Sequence, residues 1–392
     1  MKCFRAGLPP PLDRKNSHFR KGIVSLKGKN VWTILVALTL VIGIFTACGG
    51  NNQATQPTPG TDSTQGTDAV EEPGFRVAFI GNQRFGDSGP IDDMVSGAQR
   101  AMADFNVQVN MLESIGAANF EADIRAMAGE GYDLVITTFP PMRDAVTMVA
   151  PEFPDTYFAG IFQTLDGDPL PNYWNAVFHG QTAMYVAGYM AGQVTQTGRV
   201  GLIIGAEGPT QNAEGNAFME GVRDANPQAA MEFAFVGSYD DPARAFEIAS
   251  AMIDNGVDVV MTSSAASNAG VVEAALQAEV VVLGEITDFY DVYSGFMGVV
   301  GIGFGETVYQ AIQMLVEGRF PAGEEGIRDL SNGGYYLAWG TFERFANSHP
   351  VFGEALQVAL PSAREIEAQI VNGQLYIAFN NNTPNWDIIS AQ

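Results

Sequence analysis

One pattern occurs twice in this 392-residue chain and constrains its fold more than any other: a short apolar run, a glycine-containing loop and a helix. The first copy starts at Phe75 with FRVAFIGN, continues through GDSGP and is predicted to end in a helix near Asp104. The second starts about 124 residues later, at Arg199, with RVGLII and GAEGPT before a helix to about Asp224. Strand, loop and helix in this order open a βαβ unit, so both copies predict parallel sheets.

The rest of the chain continues this alternation of strands and helices. Strands are predicted at Val107 to Leu112, Tyr132 to Thr137, Thr156 to Ile161, Trp174 to Phe178, Met231 to Val236, Val257 to Met261 and Val280 to Leu283. Phe296 to Val300 is predicted as a strand that returns to the first lobe, and Gln374 to Phe379 as a last strand. The fold class is α/β, with two Rossmann-like lobes and a cleft between them.

The predicted boundaries follow from this pattern and from the composition of the first 74 residues. Residues 1–47 are predicted to be a signal peptide and residues 48–74, which are rich in Asn, Gln, Thr, Pro and Gly, a disordered linker. Lobe 1 is expected to contain residues 75–180 and about 290–320. Lobe 2 is expected to contain residues 181–289 and about 321–392.

The N-terminal segment has the layout of an export signal. Lys21, Lys27 and Lys29 precede the uncharged run Val31 to Ala47, and Cys48 follows. The letters FTAC resemble the lipobox of bacterial lipoproteins, in which the cysteine is lipidated, although Phe replaces the usual Leu. The alternative is an uncleaved transmembrane anchor, for which seventeen residues are short. Both interpretations place the body outside the cell on a membrane tether.

Charge and residue counts exclude several classes of protein. Residues 48–392 carry twelve Arg, no Lys and 43 acids, a net charge of about −31. Nucleic acid and anionic membrane surfaces are therefore poor partners. Cys3 and Cys48 are the two cysteines, and His18, His179 and His349 are far apart in sequence. We accordingly expect neither a disulfide framework nor a metal site, and no cofactor.

Two enzyme-like motifs fail on closer inspection. GDSGP, from Gly86 to Pro90, is close to the GDSGGP around the nucleophile of chymotrypsin-like proteases, but the one upstream histidine, His18, lies in the predicted signal. The same loop lacks the G-x-G-x-x-G spacing of a dinucleotide site. Asp87, Asp92 and Asp93 would also repel a pyrophosphate at the helix N-terminus. The chain is therefore predicted not to be an enzyme.

A cleft lined by loops at the strand ends remains as the predicted site. In open α/β sheets, ligands bind outside the carboxyl ends of the strands. Four loops would meet there and supply aromatic faces and short polar groups. The alternative interpretation is that these residues only form turns and helix caps. The candidates are Asn82, Phe85, Asp87, Phe139, Tyr239, Asp240, Ser263, Ser264, Ser267 and Asn268. Such groups suit a small, polar, uncharged or weakly cationic ring compound.

From Arg76 to Arg319 the chain resembles the basic membrane protein family of lipoproteins, the purine-nucleoside-receptor type of ABC-importer binding protein. The matching stretches include GDSGPIDDMVSGAQRA, GYDLVITT, NAVFHGQTAMYVAGYMAG and GSYDDPARAFEIASAMIDNGVDVV. The resemblance implies a type I periplasmic-binding-protein fold, with a hinge that closes over ligand.

The pocket departs from the family pattern at several positions. Asp87 matches the first-loop motif D-K-S-F-N, but Pro90 and Ile91 replace its stacking Phe and its Asn. Tyr239 matches the opposing aromatic residue. By the same resemblance, the family's acids after the sixth-strand glycine fall near Ile286 and Asp288, and its ribose-binding Lys near Gly301.

The function that this resemblance implies is capture of a small ring-containing ligand, a nucleoside or a related compound, for delivery to an ABC permease. The protein would be a monomer, lipid-anchored at the extracytoplasmic face of the cell membrane. The alternative is a sensory protein of the same fold that presents its ligand to a receptor or kinase.

Overall fold

A computed structural model describes residues 74–86, 89–165 and 167–391. The predicted signal peptide, the predicted linker up to residue 73, Cys48 and Asp87 lie outside the described residues. Within the described part of the chain, no helix has the length and hydropathy needed to cross a membrane.

The described residues form two sheets of six strands each. In chain order the strands are β1 (Phe75–Gly81), β2 (Val107–Glu113), β3 (Leu134–Thr138), β4 (Tyr157–Ile161), β5 (Tyr173–Phe178), β6 (Arg199–Ile204), β7 (Ala230–Phe235), β8 (Val259–Ser263), β9 (Val281–Glu285), β10 (Phe296–Ile302), β11 (Glu325–Arg328) and β12 (Tyr335–Leu337).

Helices fill most of the connections between these strands. They are α1 (Pro90–Asp104), α2 (Ala117–Gly129), α3 (Arg143–Val149), α4 (Gln181–Val194), α5 (Pro209–Ala225), α6 (Pro242–Asp254), α7 (Asn268–Ala278), α8 (Phe304–Val316), α9 (Trp339–Ser348), α10 (Gly353–Val371) and α11 (Trp386–Ile389). Three of them begin with proline, whose fixed φ suits the first helical position. Asp241 caps α6 by accepting a hydrogen bond from the Arg244 amide at 3.0 Å.

Each sheet forms the centre of one lobe. The first has the strand order β11–β5–β4–β3–β1–β2, with every neighbouring pair parallel; with α1–α3 and α8 it makes lobe 1. The second has the order β12–β10–β9–β8–β6–β7 and is parallel except for β12; with α4–α7 and α9–α11 it makes lobe 2. The strands β3 and β8 are buried along their whole length, as the apolar runs predict.

The structure corrects three assignments near the C-terminus. The strand predicted from Phe296 returns not to lobe 1 but to lobe 2, where β10 pairs with β9. Consecutive strands joined by a short connection are usually neighbours, and an apolar run does not say which sheet it joins. Conversely β11, at residues 325–328, belongs to lobe 1, and residues 374–379 form no strand.

Three segments connect the lobes: one between β5 and α4, one between β10 and α8, and one between β11 and β12. Backbone hydrogen bonds join them to one another. The His179 amide donates to the Arg328 carbonyl, and the Gly303 amide to the Gly334 carbonyl, each at 2.8 Å. The hinge is therefore a band of three bonded segments, rather than three separate linkers.

Small residues let helices approach closely within each lobe. In lobe 1, a Cβ placed on Gly97 of α1 would lie 1.9 Å from the carbonyl oxygen of Gly305 in α8. In lobe 2, a Cβ on Gly188 of α4 would lie 2.1 Å from the Phe218 carbonyl oxygen in α5. Nearly the whole length of α4 is buried, in keeping with its run of small and apolar residues.

Candidate ligand-binding site

The carboxyl ends of strands from both lobes face one cavity of about 1010 Å³. This volume is at the upper end of the range for small-molecule sites. Lobe 1 contributes the end of β5 and the segments that follow β3 and β4, and lobe 2 contributes the segments that follow β6, β7, β8 and β9. The position is the one that parallel α/β sheets favour for ligands.

Lobe 1 supplies an aromatic wall formed by Phe139, Phe162, Phe178 and Phe304. The rings contact one another edge-on or tilted, with centroids 5.1 Å apart for Phe178 and Phe304 and 5.5 Å apart for Phe139 and Phe304. Such contacts stabilise the wall beyond the burial of area alone. The wall offers a ligand an apolar surface whose shape is set by ring-to-ring packing.

Strained backbone recurs where the strands meet the cavity. Phe139 and Phe162 follow β3 and β4 with φ of 58° and 59°, and Ala265 and Ile286 follow β8 and β9 with φ of 51° and 68°. All four line the cavity. Left-handed backbone at residues other than glycine is costly and clusters at ligand sites. Its repetition in both lobes makes this cavity the candidate functional site of the described chain.

Lobe 2 places two carboxyl groups on the cavity, Glu214 from α5 and Glu285 from the end of β9. The Glu214 side chain accepts a hydrogen bond from the Tyr335 hydroxyl at 2.9 Å. The Ser263 hydroxyl donates to Oε2 of Glu285 at 2.6 Å. The other oxygen of Glu285, Oε1, is buried and has no hydrogen-bond partner among the described residues.

Burial changes the acidity of this pair. It raises the pKa of Glu285 to about 7, against the opposing effect of the Ser263 hydrogen bond. Burial, together with the charge of Glu285, raises the pKa of Glu214 well above its usual range, although the Tyr335 hydrogen bond lowers it. The pair therefore keeps a proton at pH values where ordinary carboxyl groups are ionised.

Tyr239 stands opposite the aromatic wall, in the loop after β7. Its ring lies over Gly205, where an added Cβ would come within 2.3 Å of the ring carbons. The residue is 43% exposed, so one face of the ring is available. Burial raises the pKa of its hydroxyl to about 12, so the side chain is neutral near pH 7.

Of the predicted site residues, Phe139, Tyr239, Ser263 and Asn268 line the cavity, whereas Ser264 and Ser267 are buried in the segment just before Asn268. Asn268 is held rigidly, because its carboxamide oxygen accepts hydrogen bonds from the Thr262 hydroxyl and from the amide and hydroxyl of Ser264, each at 2.8 Å. Ligand contact by these four residues stays a prediction. Asp87 lies outside the described residues.

Four further predicted residues, Asn82, Phe85, Asp240 and Asp288, do not line the cavity, and each has local contacts instead. Asn82 accepts a hydrogen bond from the Thr138 hydroxyl at 3.2 Å, which fixes the first loop. The Phe85 ring packs on Phe79, with centroids 6.1 Å apart. The amide of Asp240 bonds the Ser238 hydroxyl in an exposed turn. Asp288 forms an ion pair with Arg344 at 2.7 Å. Ligand contact by these four residues stays a prediction, and the structure shows them in local packing and turn contacts.

The sequence reasoning missed the groups with the most unusual environment, Glu214 and Glu285. Glu285 carries a usable signal, because it follows Gly284 at the end of an apolar strand run. Glu214 lies inside a helix among small residues, NAEGNA, where an acid looks like an ordinary exposed residue. The wall residues Phe162, Phe178 and Phe304 were likewise missed, since apolar residues near strand ends predict core.

This arrangement suits binding rather than chemistry. The cavity combines an aromatic wall, one half-exposed ring and a few buried polar groups, the usual features of a small-molecule site. Among the described residues, no group of three or more His, Cys, Asp or Glu side chains is placed to hold a metal ion. The site is therefore best described as a receptor pocket between two hinged lobes.

Two α/β lobes, three crossings and a cavity between the lobes define a type I periplasmic-binding-protein fold, which confirms the predicted fold class. Solved structures agree. An ABC-transporter solute-binding protein from Aeropyrum pernix matches with a TM-score of 0.61 at 20% identity, covering 80% of this chain and 96% of the other. One from Conexibacter woesei also gives 0.61, at 21% identity, covering 78% and 98%.

The chain belongs to the Bmp family, described as ABC transporter substrate-binding protein PnrA-like, whose family model matches residues 75–339. This confirms the resemblance read from the sequence. The family consists of substrate-binding proteins of ABC transporters, which bind small molecules and are not enzymes.

Curated relatives are distant but carry informative names. Basic membrane protein A2 of Borrelia garinii is 23% identical over 54% of this chain and 63% of its own length. The CD4+ T-cell-stimulating antigen of Listeria monocytogenes is 26% identical over 61% and 66%. A purine-binding protein of Brucella abortus is 30% identical over 39% and 43%. The matches thus span less than two thirds of these relatives' own lengths.

Proposed function

We propose that this protein captures a small ring-containing ligand, a nucleoside or a related compound, in the cavity between its lobes and delivers it to the permease of an ABC importer. The observation that carries the proposal is the 1010 Å³ cavity at the facing strand ends, with aromatic groups in both lobes. A planar ring would lie between the wall of lobe 1 and Tyr239. The purine-binding relative from Brucella abortus supports a ring of this kind.

Ligand capture would work through hinge closure. A ligand that touches both lobes has a higher affinity for the closed form, and this difference drives the lobes together. The hydrogen-bonded crossings give the motion a defined axis. The cavity lining offers no group that needs to react with the ligand, so release to the permease requires only reopening.

The binding part of the proposal is tested by mass spectrometry of small molecules released from the purified protein, followed by calorimetric titration with the compound found and with adenosine. We expect micromolar or tighter binding that Tyr239→Ala weakens and Tyr376→Ala, at a ring 84% exposed elsewhere in lobe 2, leaves unchanged. No co-purified compound and no binding of purine nucleosides would refute it.

Delivery is tested in cells that lack the protein. Uptake of the labelled ligand should fall, and wild type but not Tyr239→Ala should restore it. Unchanged uptake in the deleted strain would contradict a role in import.

We propose that the protein is held at the extracytoplasmic face of the membrane by lipid on Cys48. The basic flank, the apolar run and the FTAC letters support this. Wild type and Cys3→Ser should incorporate labelled palmitate, whereas Cys48→Ser should not and should accumulate as uncleaved precursor. Normal processing of Cys48→Ser, together with unlabelled wild type, would contradict the anchor.

A further inference from the structure

The lobe 2 side of the cavity holds two acidic side chains that no cationic side chain of the described chain faces. Glu214 and Glu285 both line it, and among the described residues of the lining none is Arg, Lys or His. The whole chain after Lys29 contains no lysine at all. Asp288 and Glu152, at the surface, have arginine partners, whereas the two acids of the cavity have none among the described residues.

The hydrogen bonds within the site leave one acceptor open. Ser263 satisfies Oε2 of Glu285, and Tyr335 satisfies Oε1 of Glu214. Oε1 of Glu285 is buried without a partner among the described residues. A buried carboxylate oxygen without a donor is costly, and binding-site acceptors are commonly satisfied by the ligand. What is missing at Glu285 is a donor with positive charge or a strong N–H.

The geometry around Glu214 keeps this group in place. Gly180 lies at the first crossing, and a Cβ there would come within 2.2 Å of Oε1 of Glu214 and 2.7 Å of the Tyr335 ring. The absence of a side chain at this position gives the carboxyl group its room. Glu214 is only 3% exposed, so it is reached through the cavity rather than from bulk solvent.

The opposite wall also favours a cation. Aromatic faces attract ammonium and related groups, and do so more strongly when water is excluded. The four-ring wall of lobe 1 could therefore accept the body of a charged ring compound while its nitrogen reaches the acids of lobe 2. Carboxylate and aromatic surfaces facing one another across a cavity form a site for an organic cation.

We propose that the ligand is an organic cation, a ring compound with a protonated nitrogen, whose charged group binds at Glu214 and Glu285. This rests on the proposed function, since it assumes that the cavity captures a small molecule. It specifies the charge that the ligand must carry: a neutral nucleoside would leave Oε1 of Glu285 without a charged partner, whereas an amine-bearing ring would satisfy it.

The acid–base behaviour of the site gives the proposal a distinctive readout. The titratable groups that face the two acids are Tyr239 and Tyr335, and both stay neutral because their pKa values are raised. A cation that binds near pH 7 therefore displaces a proton from the glutamate pair. A neutral ligand displaces none, and the heat of proton release into different buffers distinguishes the two cases.

The experiment uses two pairs of probes that differ by the replacement of one hydroxyl with an ammonium group. They are adenosine with 5′-amino-5′-deoxyadenosine, and tryptophol with tryptamine. Calorimetric titration at pH 6, 7 and 8, in buffers of different ionisation enthalpy, measures affinity and proton release. We expect the charged member of at least one pair to bind about tenfold or more tightly than the neutral one, with proton release at pH 7 and with affinity that rises with pH.

Variants separate charge from shape. Glu285→Gln should weaken the charged probe about tenfold or more and change the proton release at pH 7, while the affinity for the neutral probe changes less than threefold. Glu247→Gln, at an exposed position on α6, is the matched control and should leave both probes unchanged.

The outcomes distinguish the two proposals. If neutral probes bind as tightly as charged ones, or if a neutral compound co-purifies while charged probes fail, the cation assignment is overturned and ligand capture stands. If no probe binds and no compound co-purifies, ligand capture itself fails, and the cation assignment falls with it.

Discussion

The two halves of the cavity are built on the same strand–loop–helix plan but differ in chemistry. In lobe 1 the lining has no charged side chain and is dominated by phenylalanine rings that pack on one another. In lobe 2 it contains two glutamates, a serine and an asparagine beside the rings of Tyr239, Phe289 and Tyr335. The comparison teaches that a repeated fold unit determines where a ligand binds, while the residues just after each strand determine which kind of ligand binds there. Lobe 1 supplies an apolar surface of fixed shape, and lobe 2 supplies the acidic and polar groups that would orient a ligand.

The largest expected effect comes from the wall of lobe 1, where the rings also belong to the core. Phe304 is 4% exposed and contacts three other rings of the wall. Phe304→Ala should lower the free energy of unfolding by about 3–5 kcal/mol, because it removes a buried ring and leaves a cavity. Urea denaturation measures this, with Phe304→Leu as a milder control. A loss below about 1 kcal/mol would show that the wall is not part of the core.

Removal of the lobe 2 ring should act on binding instead of stability. Tyr239 is half-exposed, so Tyr239→Ala should change the free energy of unfolding little. It should weaken a stacked ring ligand by about 1–3 kcal/mol, roughly 5- to 150-fold. Titration with the co-purified compound tests this, and Tyr239→Phe should keep most of the affinity. Equal losses of stability for Tyr239→Ala and Phe304→Ala would contradict the difference drawn here between a core wall in lobe 1 and a binding ring in lobe 2.

The acids of lobe 2 should make the unliganded protein sensitive to pH. The pKa of Glu285 is raised to about 7 in the folded state, above its ordinary value of 4.5. The folded state thus holds this proton more tightly than the unfolded state does, and stability from this group is lost as pH rises through about 7. The free energy of unfolding of Glu285→Gln, relative to that of wild type, should therefore increase by on the order of 1–2 kcal/mol from pH 5 to pH 8.

Denaturation at both pH values measures this difference, and Glu247→Gln provides the baseline for removal of an exposed acid. If the difference in unfolding free energy between Glu285→Gln and wild type is the same at pH 5 and pH 8, the Glu285 carboxyl group titrates like an ordinary surface carboxyl.

The smallest effect is expected three residues further along the same loop. Asp288 pairs with Arg344 at the surface, with each side chain 36% exposed. Asp288→Asn should cost at most about 1 kcal/mol of stability, as exposed ion pairs do, and should change ligand affinity less than twofold. Urea denaturation and ligand titration check both values. A tenfold loss of affinity would return Asp288 to the site and extend the charged surface of lobe 2 beyond Glu285.

The sequence predicted the two sheets well because their strands are continuous apolar runs and their loops carry glycine and proline. It placed the strand at Phe296 in the wrong lobe, since its burial pattern suits either sheet equally. At the site, Tyr239 and Ser263 could be located from their positions after strands. Glu214 could not, because its burial depends on packing against Tyr335, 121 residues away. The positive φ values of Phe139 and Phe162 also have no sequence signal, because phenylalanine does not favour left-handed backbone.

The strand β10 belongs to lobe 2 and the later strand β11 to lobe 1, and this crossing affects the order in which the lobes can be completed during synthesis. The edge strand β11 pairs with β5, yet it leaves the ribosome about 150 residues later. Until then the first sheet has an open edge at β5, and α1 lacks the helix that covers it, α8. Lobe 2 likewise waits for β12, α9 and α10. Because the chain crosses between the lobes three times, lobe 1 cannot be completed until residues up to Arg328 have been synthesised, well after most of lobe 2.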